Sequence, residues 1–209
     1  MRLQKFGHSC VLVEEGDARI LLDPGTFSQG FEGLTGLTAI LVTHQHPDHV
    51  DVSRLPALLT ANPDASLHSD EGTAAELAEK NIDVRAVREG DVLDVGADVR
   101  VVGRQHAQVH PDVPLVPNVC YLVAARFFHP GDSFTVPEDE VEVLALPTAA
   151  PWLKTAEAVD YLRQVRPRVA VPIHEAVLAT PRMYYGLFDR LAPEGTSVRV
   201  IDGAGIVDV

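Results

Sequence analysis

The stretch Leu41-Val-Thr-His-Gln-His-Pro-Asp-His-Val50 decides the reading of this chain. It continues an apolar run, Thr38-Ala-Ile-Leu-Val-Thr43, that reads as a buried strand, so its polar residues fall in the loop at the strand's C-terminal end. His44, His46, Asp48 and His49 make the pattern H-x-H-x-D-H, three imidazoles and a carboxylate within six positions. Zinc and its first-row neighbours accept those donors. Packing does not explain the cluster, because such groups are costly to bury unless paired or bound to a metal. The cluster is too short for one mononuclear cage to use every side chain. It points instead to two metals side by side, each completed by residues from elsewhere.

Three later positions follow the same rule of strand, then ligand-type residue. His106 follows Val99-Arg-Val-Val-Gly-Arg-Gln105, Asp132 follows Arg126-Phe-Phe-His-Pro-Gly131, and His174 follows Ala170-Val-Pro-Ile173. The C-terminal ends of neighbouring strands converge on one sheet edge, where α/β ligand sites form. In Gly131-Asp132-Ser133 the glycine permits a tight turn, and the carboxylate could bridge two cations through its two oxygens. The same tripeptide would equally suit an Asx-turn or a helix cap.

Around these positions the chain reads as strands, then alternating strands and helices, twice over. Strands are expected at Cys10–Glu14 and Arg19–Asp23 about a Glu15-Gly16-Asp17 turn, with Asp23-Pro24-Gly25 as a stop, and then at Thr38–Thr43 and Ser66–Ser69. Ser53 is expected to cap a helix to Leu59, and a second helix covers Ala74–Lys80. Further strands are expected at Val84–Val87, Asp91–Val95, Val99–Val102, Val119–Ala124, Arg126–His129, Val141–Leu146, Arg168–Ile173, Ser197–Ile201 and Ile206–Val209. Helices fall at Thr155–Val165 and Arg182–Leu191. This pattern suggests one domain over residues 1–209, an α/β fold of two similar halves with sheets face to face and helices outside.

Composition bounds the function. With 46% apolar residues, the 209-residue chain can bury a sizeable core. The formal charge of −13 argues against nucleic acid as a partner, since phosphate neutralisation needs a basic face. No apolar leader-like segment opens the chain, no run of 18 apolar residues could cross a membrane, and Cys10 and Cys120 read as buried reduced thiols. These features suggest a cytoplasmic protein without a membrane partner. Nothing argues against an oligomer.

In order and spacing, His44-x-His46-x-Asp48-His49, then His106, Gly131-Asp132 and His174, resembles the metallo-β-lactamase fold superfamily over nearly the whole chain. The opening Phe6-Gly7-His8-Ser9-Cys10 resembles the start of the branch that includes ascorbate-6-phosphate lactonase-like hydrolases. The resemblance implies a four-layer αββα sandwich, two mixed sheets face to face with helices outside, and a site at one edge. It implies that His44, His46 and His106 hold a first metal, that Asp48, His49 and His174 hold a second, and that Asp132 bridges them. His110 competes with His106 for the ligand place; His106 lies nearer the strand end, which leaves His110 substrate-facing or supporting. His8, His110 and Asp48 are the catalytic candidates. His129 reads as structural, Glu175 as a group that could orient a neighbouring imidazole, and His68 as a surface residue.

Two divalent metals about 3.5–4 Å apart would share a water and lower its pKa. The expected activity is therefore hydrolysis of an ester, lactone, amide or phosphodiester bond in a small molecule. Zinc is the first choice of metal, manganese the second, and iron is accepted by the same donors. A flavo-diiron role fits less well, because that branch resembles H-x-E-x-D and His46 stands at the second position here. The alternatives are an RNA or cyclic-nucleotide phosphodiesterase and a metal-binding protein without catalysis. The Gly25–Gly36 loop, with Phe27 and Phe31, is expected to wall the site. So is Ala149–Lys154, with Trp152 as a stacking surface and Lys154 as an anion anchor.

Overall fold

Side chains alternate across each strand, and that alternation sorts the apolar residues into the layers of the molecule. The computed structural model describes residues 1–201 and 205–209. Among the described residues, the first half carries β1 (Arg2–Lys5), β2 (Val11–Glu15), β3 (Ala18–Leu22), β4 (Ala39–Val42), β5 (Ser66–Ser69) and β6 (Arg85–Ala86), with helices α1 (Leu55–Ala61) and α2 (Glu71–Glu79). The second half carries β7 (Val92–Asp94), β8 (Asp98–Val102), β9 (Cys120–Val123), β10 (Phe127–His129), β11 (Val143–Pro147), β12 (Val169–Ile173) and β13 (Ser197–Val198), with α3 (Thr155–Val165) and α4 (Pro181–Leu191). A last strand, β14 (Ile206–Asp208), returns to the first sheet. The sheet orders are β14-β1-β2-β3-β4-β5-β6 and β13-β12-β11-β10-β9-β8-β7.

Val11, Val13, Ile20 and Leu41 face Val101, Tyr121, Val143 and Val171 in one core between the sheets. Their strand neighbours Leu12, Leu21, Ile40 and Val42 pack outward against Leu55 and Leu58 of α1 and Leu77 of α2. Leu122, Phe128, Leu144 and Leu146 do the same against Leu162 of α3 and Phe188 of α4. The result is the expected αββα sandwich. The parallel strands β4 and β12 are apolar along both faces because each face is covered.

Element ends differ from the sequence reading where side chains compete for backbone. Ser53 does not cap α1. Asp51 Oδ1 instead accepts the Ser53 amide at 2.9 Å and the Arg54 amide at 3.3 Å, so the helix begins at Leu55 with Pro56 in its first turn. Helix α2 begins earlier than expected, at Glu71, because Asp70 Oδ1 accepts the amides of Gly72 (2.8 Å) and Thr73 (3.1 Å). Strand β1 carries no apolar run and was not expected; it forms because β2 and β14 supply ladders on both sides. His68 is buried rather than on the surface, since β5 is an interior strand, and its Nε2 pairs with Ser66 Oγ at 2.9 Å. Cys10 and Cys120 are buried free thiols, as expected.

One ion-pair network ties the second half to the chain end. Arg126 Nη2 donates to the Val209 carbonyl at 3.0 Å, and both Arg126 and Arg168 donate to Glu142. Those two guanidinium groups hold the Glu142 carboxyl down to about 2, below its ordinary 4.5. Its side chain is 27% exposed, so water screens part of the effect. Glu142→Gln is expected to cost about 1 kcal/mol at pH 7. Because the folded pKa is the lower one, that contribution is present above about 4.5 and is lost as the pH falls through about 2. Urea midpoints of parent and variant at pH 7 and pH 3 check this: the gap should narrow at pH 3, and an unchanged gap contradicts it.

Candidate metal centre

The pairings make β1, β3 and β4 run the same way in one sheet and β8, β10 and β12 the same way in the other, and the donor residues that follow these strands meet at one edge of the sandwich. That edge holds His8 after β1, Asp23 after β3, His44–His49 after β4, His106 after β8, Asp132 after β10 and His174 after β12. Two donor groups result: His44, His46, His106 and Asp132 in one, and His8, Asp48, His49 and His174 in the other. Within each group, one donor atom per residue lies within 4.8 Å of every other. Asp132 stands between them. Its Oδ1 is 2.7 Å from His174 Nε2 and 3.0 Å from His49 Nε2, while its Oδ2 is 3.2 Å from His106 Nε2.

Hydrogen bonds on the outer side of the rings decide which nitrogen faces inward. His106 Nδ1 donates to the Ala107 carbonyl, which leaves Nε2 as the inward lone pair. His49 Nδ1 lies 2.6 Å from Asp23 Oδ2. Asp23 also accepts from the Thr43 amide and the Thr43 hydroxyl, both at 2.8 Å, and that hydroxyl takes His44 Nδ1 at 3.0 Å. Asp132 is aimed by its own turn. Gly131 adopts φ +57, and a Cβ there would stand 2.4 Å from Asn118 Oδ1. Asn118 Oδ1 in turn accepts the Asp132 amide at 3.0 Å. His129, at 0% exposure, donates from Nε2 to the Ser9 carbonyl and accepts the Gly131 amide at Nδ1, which is the structural role expected of it. His8, Asp23 and His174 all take left-handed backbone (φ 47, 48 and 68), a conformation that non-glycine residues hold only where surrounding structure enforces it.

The donor chemistry fits divalent cations. His106 Nε2 and Asp132 Oδ1 are buried and make no well-aligned hydrogen bond, although other donor atoms of the centre stand within 3.2 Å of each. Burial, reinforced by the charges of His49, His46 and His106, lowers the His44 pKa well below its ordinary value and keeps the imidazole in the neutral, ligating form. Burial alone would raise Asp132, but the surrounding histidines outweigh it and hold the carboxyl well below the usual range. Burial would likewise raise Asp48, yet its bond to His8 and the charge of His49 lower it.

Of the residues singled out from sequence, His8, His44, His46, Asp48, His49, His106, Asp132 and His174 come together. His110 does not. It is exposed, its Nδ1 accepts the Asp112 amide at 3.1 Å, and it belongs to neither donor group. Glu175 orients no imidazole; it accepts from Lys5 Nζ and, at 3.0 Å, from the His8 amide. Phe31 is core, packed in the layer under α1 with Arg54 over its ring, so only Phe27 of that loop reaches the site. Lys154 stands away from the cavity beside Glu157. Sequence reasoning missed Asp23, which was read as a turn, although it obeys the same rule of strand, then ligand-type residue. It also missed the bond from Trp152 Nε1 to Asp132 Oδ2 at 2.7 Å.

A cavity of about 220 Å³ opens onto His46, Asp48, His106, Asp132 and His174. A larger one, about 720 Å³, lies among Arg126, Glu142 and Arg168, near the N-terminal ends of β10–β12, and has none of the donor residues in its lining.

A family model for the beta-lactamase superfamily domain matches residues 2–174. Protein Rv0786c of Mycobacterium tuberculosis is 56% identical over 194 residues, which span 89% of this chain and 90% of that one. UPF0173 protein PF0020 of Pyrococcus furiosus is 31% identical over 206 residues, spanning 93% and 88%. Among solved structures, the metallo hydrolase Igni18 of Ignicoccus hospitalis shares the fold with a TM-score of 0.74 at 20% identity, covering 100% of this chain and 98% of that one. Further relatives carry the description UPF0173 metal-dependent hydrolase. With its αββα layers and its histidine and aspartate edge, the chain belongs to the β-lactamase superfamily domain family and is a metal-dependent hydrolase of the metallo-β-lactamase fold.

Proposed function

We propose that the centre holds two divalent cations, zinc first and manganese or iron as alternatives, and cleaves an ester, lactone, amide or phosphodiester bond of a small molecule. His44, His46 and His106 would hold one, Asp48, His49 and His174 the other, and Asp132 both. The observation that carries this reading is Asp132, whose two oxygens face histidines of both groups within 3.2 Å. Bound cations would polarise the scissile oxygen and draw the pKa of a shared water towards neutrality. Asp48 would orient that water; its 24% exposed side chain in the lining of the cavity supports the role. His8 would hold a proton beside it, a role supported by its Nε2 lying 3.0 Å from Asp48 Oδ2. His110, outside the donor groups, takes no part in this reading. The buried free thiols fit a reducing compartment, and we place the protein in the cytoplasm. Among the described residues, no helix is long and apolar enough to cross a membrane.

Elemental analysis of the wild type beside His46→Ala tests the centre. About two metals per chain are expected in the wild type, lost or halved in the variant. A wild-type chain that stays metal-free after loading with zinc and with manganese overturns it.

A further inference from the structure

The cavity over the donor atoms has a polar floor and apolar walls. Its walls are Phe27, Val109, the Ala149–Pro151 turn, Trp152 and Val177, and none of its twelve lining residues is a lysine, arginine, serine, threonine, asparagine or glutamine. Trp152 has one polar atom, and that atom is already committed to Asp132 at 2.7 Å, so the indole offers only its carbon surface. Phe27 rests its ring edge-on against His8 at 5.2 Å. Phe27, Val109 and Val177 come from three separate loops, after β3, after β8 and after His174. All three are left exposed at the rim, at 52%, 41% and 50%. Scattered apolar residues on a surface need no explanation, but three large ones converging on a reactive floor form a contact surface. At about 220 Å³ the cavity lies below the range of roughly 300–1,000 Å³ that takes drug-sized ligands.

An anionic group on the far part of a substrate would meet valine and aromatic carbon with no counter-charge, and desolvating it there is costly. Lys154, two positions after Trp152, is turned to Glu157. Resting on the hydrolase reading of this centre, we propose that its substrate has a small, apolar, uncharged non-reacting part, held between Phe27, Trp152 and Val177. The lactonase-like resemblance of the first residues is to enzymes of a phosphorylated lactone; these walls suit a lactone or short ester and hold no partner for the phosphate.

Trp152 is the only tryptophan in the chain, so intrinsic fluorescence reads occupancy of the cavity without turnover. Zinc-loaded protein is titrated with pentanoate, butyrate and glutarate, of which one carboxylate anchors on the metals while the tail samples the walls. Pentanoate should bind at least about tenfold tighter than glutarate, whose second charge is left unpaired. Butyrate should bind about fourfold weaker than pentanoate for its missing methylene. Val177→Lys should favour the doubly charged glutarate. Glutarate binding as tightly as pentanoate to the wild type overturns the inference and leaves the metal centre standing. The absence of metal-dependent binding of any of the three, by fluorescence and by calorimetry, overturns the metal-centre reading and the inference with it.

Discussion

Asp132→Ala is expected to reduce the metal content from about two per chain to one or none, and to lower hydrolysis by more than about 10²-fold. The variant removes the carboxylate that faces His49 and His174 through Oδ1 and His106 through Oδ2. Five imidazoles and the Asp48 carboxylate would then have to gather two cations without a shared anion. The Trp152 N–H also loses its acceptor in a buried position, at a cost of about 1–3 kcal/mol. Elemental analysis after zinc loading, with circular dichroism as a check on folding, measures the result. A folded variant that still carries two metals would show that Asp132 is not shared.

Asp23→Asn is the second large effect, and the more informative one, because Asp23 touches no reacting atom in the proposed scheme. Asparagine tolerates the left-handed backbone at this position, where φ is 48, so the change tests the charge and not the turn. The carboxylate takes three donors at once: the Thr43 amide, the Thr43 hydroxyl and His49 Nδ1. An amide has one acceptor oxygen, so at least one donor is left poorly matched in a site at 0% exposure. Burial would lower the His49 pKa, but Asp132 and Asp23 together raise it well above its ordinary value, so Asp23 also sets the charge at that ring. Loss of the partner that orients a ligating histidine costs about 10- to 100-fold in metal affinity. Competition against a chromogenic chelator reads the affinity, and thermal unfolding of the metal-free protein reads the fold separately. Unchanged affinity would mean that His49 needs no orienting partner.

The donor cluster at His44–His49 was legible because its chemistry is local, with four ligand-type side chains in one loop after one apolar strand. His106, Asp132 and His174 were legible by a repeated local rule. Asp23 obeyed that rule as well, but Asp-Pro-Gly is so strong a turn signal that the turn reading prevailed; in the molecule it both turns and orients His49. His110 and His106 lie four positions apart in one loop, and only the backbone path, with the His106 amide donating to Val116 and Ala107 to Asp132, turns one inward and leaves the other in solvent. The same holds for Phe27 and Phe31, of which one reaches the cavity and the other fills the core.

The layers of this fold follow from a periodicity of two in the strands and from donor types placed at strand ends, and both are written in short windows of the chain. The contacts that make the edge a reactive centre span long separations: His174 meets His49 across 125 residues, and His8 meets Asp48 across 40. Strand order and register settle such meetings, and no local window contains them. Which nitrogen faces inward, which carboxylate stands between the two donor groups and which walls close over the floor were therefore decided by the packing of the two sheets.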